Sequence, residues 1–196
     1  MSAFVTILGG GGEGGEAEPI AAALRGLGVE ARAASAFAEI DPGSDLVLVL
    51  QAELQGAAFN AYALEHGLTW LPVAFSHTVG RLGPIIIPGE TACYDCLELR
   101  GRANGLPPLA AKPSRFDPSW SMVASLAVME TVKWLSRSTN SFAPLSLGHQ
   151  VEFDAFHLQG EVNPVYRLPT CPSCGLRHQA RLAAQPWTEA GLVQLP

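Results

Sequence analysis

An α/β fold with a Rossmann-like, mostly parallel sheet is predicted by three features of this 196-residue chain. First, residues 3–8 (AFVTIL) form a short apolar strand that runs into GGGGEGG at 9–15 and then into a helical stretch, AEPIAAALRGLG. Second, residues 45–51 (DLVLVLQ) are almost wholly apolar, the pattern of a strand buried on both faces of a parallel sheet. Third, all four cysteines fall in two C-x-x-C pairs, Cys93/Cys96 in TACYDCL and Cys171/Cys174 in PTCPSCG. Two such turns bring four thiolates to one tetrahedral metal site, a structural knuckle joining mid-chain to a point near the C-terminus.

The elements follow in order. Pro19 is tolerable only in the first turn of the opening helix. Residues 29–34 (VEARAA) supply the second strand of a βαβ unit, which implies parallel pairing. Residues 54–66 read as a helix that Gly67 stops, and residues 69–75 (TWLPVAF) as the next strand. RLGPIIIPGET is extended and turns at Pro88-Gly89 into the first cysteine pair. Residues 100–118 hold four prolines, two glycines and four of the twelve basic residues, and are expected to be a mobile loop. Ser119 or Ser121 is expected to cap the helix SMVASLAVMETVKWLSR, which is apolar most of the way round and so buried on several sides. Strands at roughly 147–156 and 161–168 precede the second pair. The chain is expected to be one domain over 1–196, with a tail at 176–196 that docks late or on a partner.

Composition narrows the function. The formal charge is −6 and charged residues are 15% of the chain, so a basic field for nucleic acid is absent. No apolar run approaches the roughly 20 residues of a membrane span. The N-terminus lacks the basic segment of a signal peptide, so a cytoplasmic protein is expected. In that compartment paired cysteines favour a metal over disulfides. Four protein thiolates leave no open coordination position, so the zinc is expected to be structural.

Gly9, Gly11, Gly12 and Gly14 fit G-x-G-G-x-G between a strand and a helix, the setting of a nucleotide-binding loop. Glu13 and Glu16 put negative charge where phosphates would sit, so a turn kept for tight packing is the competing reading. His66 reads as a helix-end residue. His77, in FSHTVG, lies where strand ends could build a site, and a hydrogen-bonded loop histidine is the plainer reading. Asp45 is expected to begin a strand and Asp95 to be solvated. No catalytic residue is assigned.

The order of parts resembles the superfamily of ubiquitin-activating-type (ThiF-like) adenylating enzymes. The resemblance rests on the strand and G-x-G-G-x-G, DLVLVLQ, a helix carrying Asn60, PGETACYDCL, a long helix and PTCPSCG. It implies that Cys93, Cys96, Cys171 and Cys174 hold a structural zinc, and it implies a homodimer. The departures point further. Gln51-Ala52-Glu53 stands where those enzymes carry an aspartate for Mg-ATP chemistry. Ala33-Ala34-Ser35 replaces a second acid, LQGAAFNAYALEH lacks the usual arginine, and no cysteine is left to form a thioester. Adenylation needs such charges against the triphosphate. These losses resemble the bacteriocin-biosynthesis cyclodehydratase domain, a degenerate relative. That resemblance implies an accessory role beside a YcaO-type, ATP-using partner, forming azolines on a ribosomally made precursor peptide, with ATP not bound by this chain. Relatives often carry an N-terminal peptide-binding module, and this chain begins at the first strand, so leader recognition by this chain alone is not expected. An active adenylyltransferase and a zinc-stabilised interaction protein without catalysis are the alternatives.

Overall fold

The computed structural model describes residues 3–9, 15–106, 109, 117–139 and 142–175. Its seven strands form one mixed sheet in the order β2-β1-β3-β4-β5-β6-β7. β1 (Phe4–Leu8), β2 (Glu30–Ala34), β3 (Leu46–Leu50) and β4 (Trp70–Phe75) pair in parallel, as the βαβ opening predicts. β5 (Val79–Leu82), β6 (His149–Asp154) and β7 (Gln159–Pro164) extend the sheet antiparallel. Short links explain the reversals from β4 to β5 and from β6 to β7. Parallel pairing needs a long crossover, whereas Ser76–Thr78 and the turn after Asp154 permit only reversal.

Helices α1 (Ala17–Gly26) and α4 (Pro118–Leu135) cover one face of the sheet, and α2 (Ala52–His66) and α3 (Tyr94–Ala103) the other. β3 separates the two layers. Leu46, Leu48 and Leu50 enter the α1/α4 core, while Val47 and Val49 enter the α2/α3 core. All five are buried, which is why DLVLVLQ shows no polar alternation. Each such side chain contributes about 1.5–3 kcal/mol on burial. The second core holds Phe59, Trp70, Tyr94 and all four cysteines.

Several boundaries differ from expectation. α3 runs to Ala103, so residues 100–103 are helix and not loop. Arg100 and Arg102 sit in its last turn, where cations suit the helix dipole, and Asn104 N–H donates to Arg100 O. Residues 107, 108 and 110–116 of the expected loop lie outside the described residues, as does the tail at 176–196. α4 begins at Pro118 with Asp117 at the N-cap position, not at Ser119 or Ser121. Proline fits that first turn, where its missing N–H costs nothing. Ser119 instead lies inside the helix, and its hydroxyl donates to Ser76 O. β6 ends at Asp154, short of the expected 156, because the connecting turn takes residues 155–158, and β7 starts at Gln159 and ends at Pro164, both earlier than the expected 161–168. α2 starts two residues earlier than read, at Ala52.

Candidate metal centre and the crevice at the carboxyl edge of the sheet

The first cysteine turn is shaped by the backbone ahead of it. Gly89 adopts φ +84, a left-handed conformation that glycine accepts freely. Ile87 N–H donates to Thr91 Oγ1 at 2.8 Å and fixes the approach. Cys93 takes the N-cap position of α3, and Cys96 follows in the first turn with its N–H on Cys93 O. The second turn closes through Cys171 N–H to Leu168 O and Gly175 N–H to Cys171 O at 2.9 Å. A Cβ at Gly175 would lie 2.4 Å from Cys171 O, so only glycine fits there.

These turns place four buried sulfurs within 4.8 Å of one another. The Sγ separations are 3.9 Å for Cys93–Cys96, 3.6 Å for Cys93–Cys171 and 3.4 Å for Cys96–Cys174. A tetrahedral zinc with Zn–S near ~2.3 Å has S···S edges of about 3.8 Å, so the cluster has the right size. Disulfide sulfurs stand at about 2.05 Å, so these contacts are not disulfides. Burial pushes the Cys96 thiol up to about 11 and raises Cys93 as well. Thiolates in such a place need a cation, which a divalent metal supplies. A metal held by all four sulfurs would have no open position for a substrate.

The two cysteine turns are also tied directly. Arg167 donates from Nε and Nη2 to Cys174 O, at 3.0 and 2.7 Å, and from Nη1 to Gly89 O at 2.9 Å. Ser173 Oγ donates to the Asp95 carboxylate, so Asp95 is engaged across the knuckle and not merely solvated. Leu168 N–H donates to Cys96 Sγ at 3.4 Å. Asn60, buried on α2, accepts Tyr94 N–H at 3.1 Å and so serves the open N-terminus of α3. Tyr94 Oη donates to Ala52 O at 2.9 Å, and its ring lies over Gly56, where a Cβ would come within 2.6 Å. Asn60 entered the sequence reading as part of the resemblance, and its bond to Tyr94 N–H is seen only in the structure. Arg167 did not enter it, because nothing local marks a surface-composition arginine that bridges residues far apart in sequence.

The glycine motif lies at the other notable place, the carboxyl edge where strand order reverses between β1 and β3. In doubly wound sheets this switch point is where ligands bind. Gly11, Gly12 and Gly14 lie outside the described residues. Gly9 is described, and a Cβ there would sit 2.9 Å from Leu50 Cδ1 and 3.3 Å from Ala17 Cβ. It is therefore required for packing β1 against β3 and α1. Across the crevice Gln51 Nε2 donates to Glu16 Oε2 at 2.5 Å. Glu16 is the N-cap of α1 and Gln51 that of α2, so the carboxylate stands between two helix N-termini, where an anion is favoured. Gln51 has φ +50, a strained value for a non-glycine residue. Burial raises the Glu16 carboxyl, and the bond from Gln51 opposes that shift.

The acid displaced from the expected aspartate position, Glu53, turns away from this crevice. It pairs with buried Arg81 at 3.4 Å, and Arg81 Nε also donates to Glu152 at 2.5 Å. His77 is largely exposed and meets Asp117 at 2.9 Å, a hydrogen-bonded loop histidine. His66 stacks on Tyr62 at the end of α2, as expected of a helix-end residue. The structure thus brings the four cysteines together and, among the described residues, leaves the histidines apart from them. Asp45 precedes β3 and accepts Phe4 N–H at 2.9 Å. Among the described residues, no helix is long and apolar enough to cross a membrane.

Comparison with known proteins fits this geometry. The heterocyclase TruD superposes with a TM-score of 0.67 at 26% identity, over 95% of this chain and 30% of that one. A heterocyclase solved with substrate and cofactor gives 0.66 at 27% identity, over 91% and 27%. The chain therefore spans less than a third of the length of these heterocyclases. E. coli MccB with ATP gives 0.63 over 88% and 67%, and its 18% identity makes that a likeness of fold. No curated protein matches. Residues 56–173, which run from α2 through the first cysteine turn to just before Cys174, match the family model described as "ThiF family". With more than half of its length matched and its four cysteines gathered as that resemblance implied, the chain belongs to the ThiF family.

Proposed function

We propose that this chain is a non-catalytic component of a peptide-modifying cyclodehydratase, built around a structural zinc held by Cys93, Cys96, Cys171 and Cys174. Its role is to scaffold and present a ribosomally made precursor peptide to a YcaO-type, ATP-using partner that forms azolines. The observation that carries this reading is the Glu16–Gln51 bond across the switch point, found in a chain that resembles heterocyclases over most of its length. A carboxylate at that place opposes a triphosphate, and Glu53 is held by Arg81 away from any metal-nucleotide. Gly9 supports the same reading, because its need is met by packing alone. Gly9, Gly11, Gly12 and Gly14 are then a vestigial nucleotide loop.

A single domain over 1–196, a cytoplasmic location and a homodimer belong to the same proposal. The outer side of α4 suits a second copy: Met122, Leu126 and Met129 recur there at helical spacing and are exposed. Reconstitution tests the role. The chain is expected to accelerate ring formation by the partner while showing no ATP–pyrophosphate exchange alone. Robust exchange by the isolated chain would replace this reading with an adenylyltransferase, the alternative favoured by the fold likeness to MccB with ATP. A partner reaction indifferent to the chain would leave a zinc-stabilised interaction protein.

A further inference from the structure

A second cavity, distinct from both the cysteine cluster and the glycine crevice, lies between α3 and the sheet. It has a volume of about 100 Å³. Its apolar walls are Pro72, Ala74, Leu97 and Leu106, and its polar lining includes Glu53, Glu98 and Gln150. Arg81 and Arg102 also line it, but both are drawn into ion pairs, Arg81 with Glu53 and Glu152, and Arg102 with Glu98 at 3.4 Å. Three carboxylates thus face two guanidinium groups. Burial raises the Glu53 carboxyl, Glu98 and Glu152 raise it further, and Arg81 opposes them. An added positive charge relieves that tension.

Gln150 supplies the independent observation. It is 9% exposed, and its carboxamide has no hydrogen-bond partner among the described residues. The amide lines the same cavity as Glu53 and Glu98, so a ligand there can complete it. The combination of aliphatic walls, a carboxylate and a carboxamide oxygen matches one chemistry, a compact ammonium on a methylene stem.

We propose that this cavity binds an alkylammonium group, and that a lysine side chain of an extended peptide supplies it. The ammonium donates to Glu53 and to Gln150 Oε1, and the methylenes lie along Pro72, Leu97 and Leu106. Only the peptide as carrier of the side chain rests on the role proposed above. Binding is read without ring formation, so either reading can fail while the other stands.

The test is an NMR titration of the folded chain, following the side-chain amide signals of Gln150. N-acetyl-lysine amide and butylammonium are expected to shift them saturably, and N-acetyl-norleucine amide, of similar shape without the charge, is not. Glu53→Gln is expected to weaken the lysine probe by about tenfold. Because that change also disturbs Arg81, Gly101→Leu is the second variant. A Cβ at Gly101 meets nothing closer than Leu106 at 3.8 Å, so leucine enters the cavity and improves the helix. It is expected to abolish the shift with the melting transition unchanged or raised. An equal response to norleucine, no saturable shift with either ammonium probe, or undiminished binding in folded Gly101→Leu would overturn the proposal. A lysine-bearing extended peptide is expected to bind more tightly than butylammonium. Equal affinity assigns the cavity to free amines and overturns the peptide assignment.

Discussion

The cysteine cluster and the glycine crevice are the two features that carry the family resemblance in the sequence, and the structure builds them differently. At the knuckle four sulfurs stand at tetrahedral spacing, and the two turns are further joined by Arg167, by Ser173 on Asp95 and by Leu168 N–H on Cys96. At the crevice the described residues show one side-chain link, Gln51 to Glu16, and it places a carboxylate where the fold offers an anion site. A metal held at the knuckle would contribute to folding whatever the chain does. In the role proposed above a partner supplies the ATP chemistry, and this crevice then has no need of charges that hold a triphosphate. On that reading the chain keeps the half of the signature that holds the fold together and loses the half that reacts.

The strongest way to break this contrast is to remove the metal. Metal analysis is expected to find one zinc per chain, and Cys171→Ser or chelation is expected to lower stability by several kcal/mol. That is a large share of the ~5–15 kcal/mol that holds a typical domain. Denaturant midpoints with and without chelator would show it, and a metal-free protein of unchanged midpoint would remove the knuckle's claim. Gly56→Ala is next. Its Cβ would lie 2.6 Å from the Tyr94 ring, so α3 must shift on α2 at a cost of about 1–3 kcal/mol. Arg167→Met sharpens the knuckle side at smaller cost. It removes bonds to Cys174 O and Gly89 O and is expected to cost about 1–2 kcal/mol, with slower zinc retention against a chelator.

The smallest effect is expected at the crevice. Glu16 is raised above its ordinary 4.5 chiefly by burial. The folded state therefore holds its proton better than the unfolded state, and stability falls as pH rises above 4.5. Glu16→Gln keeps the shape and removes that fall. It is expected to be slightly more stable near neutral pH, with the gain vanishing below the ordinary carboxylate range. Because Glu16 is partly solvated, the gain stays within about 0.5 kcal/mol. A clear loss of stability in Glu16→Gln at neutral pH would show that the charge itself is needed there.

Much of the fold was legible because its signals are local. DLVLVLQ could only be a strand buried on both faces, Gly67 ends α2 at φ +68 as a helix stop should, and C-x-x-C spacing makes each cysteine turn. The misreadings came where tertiary contact outweighs local pattern. Residues 100–103 stay helical because α3 is anchored at its start by Asn60 and Tyr94. Ser119 looked like a cap, but its hydroxyl was taken by Ser76 O across the sheet's edge.

By itself the sequence determined the α/β class, the parallel start of the sheet, and the identity of the four cysteines, because periodicity and short spacings act over a few residues. Only the tertiary structure decided what fills the crevice and what stands against Arg81. Glu16 and Gln51 are 35 residues apart, and Arg81 and Glu152 are 71. Side chains so distant carry no local sign of each other, and only the packing of strands and helices brings their charges together.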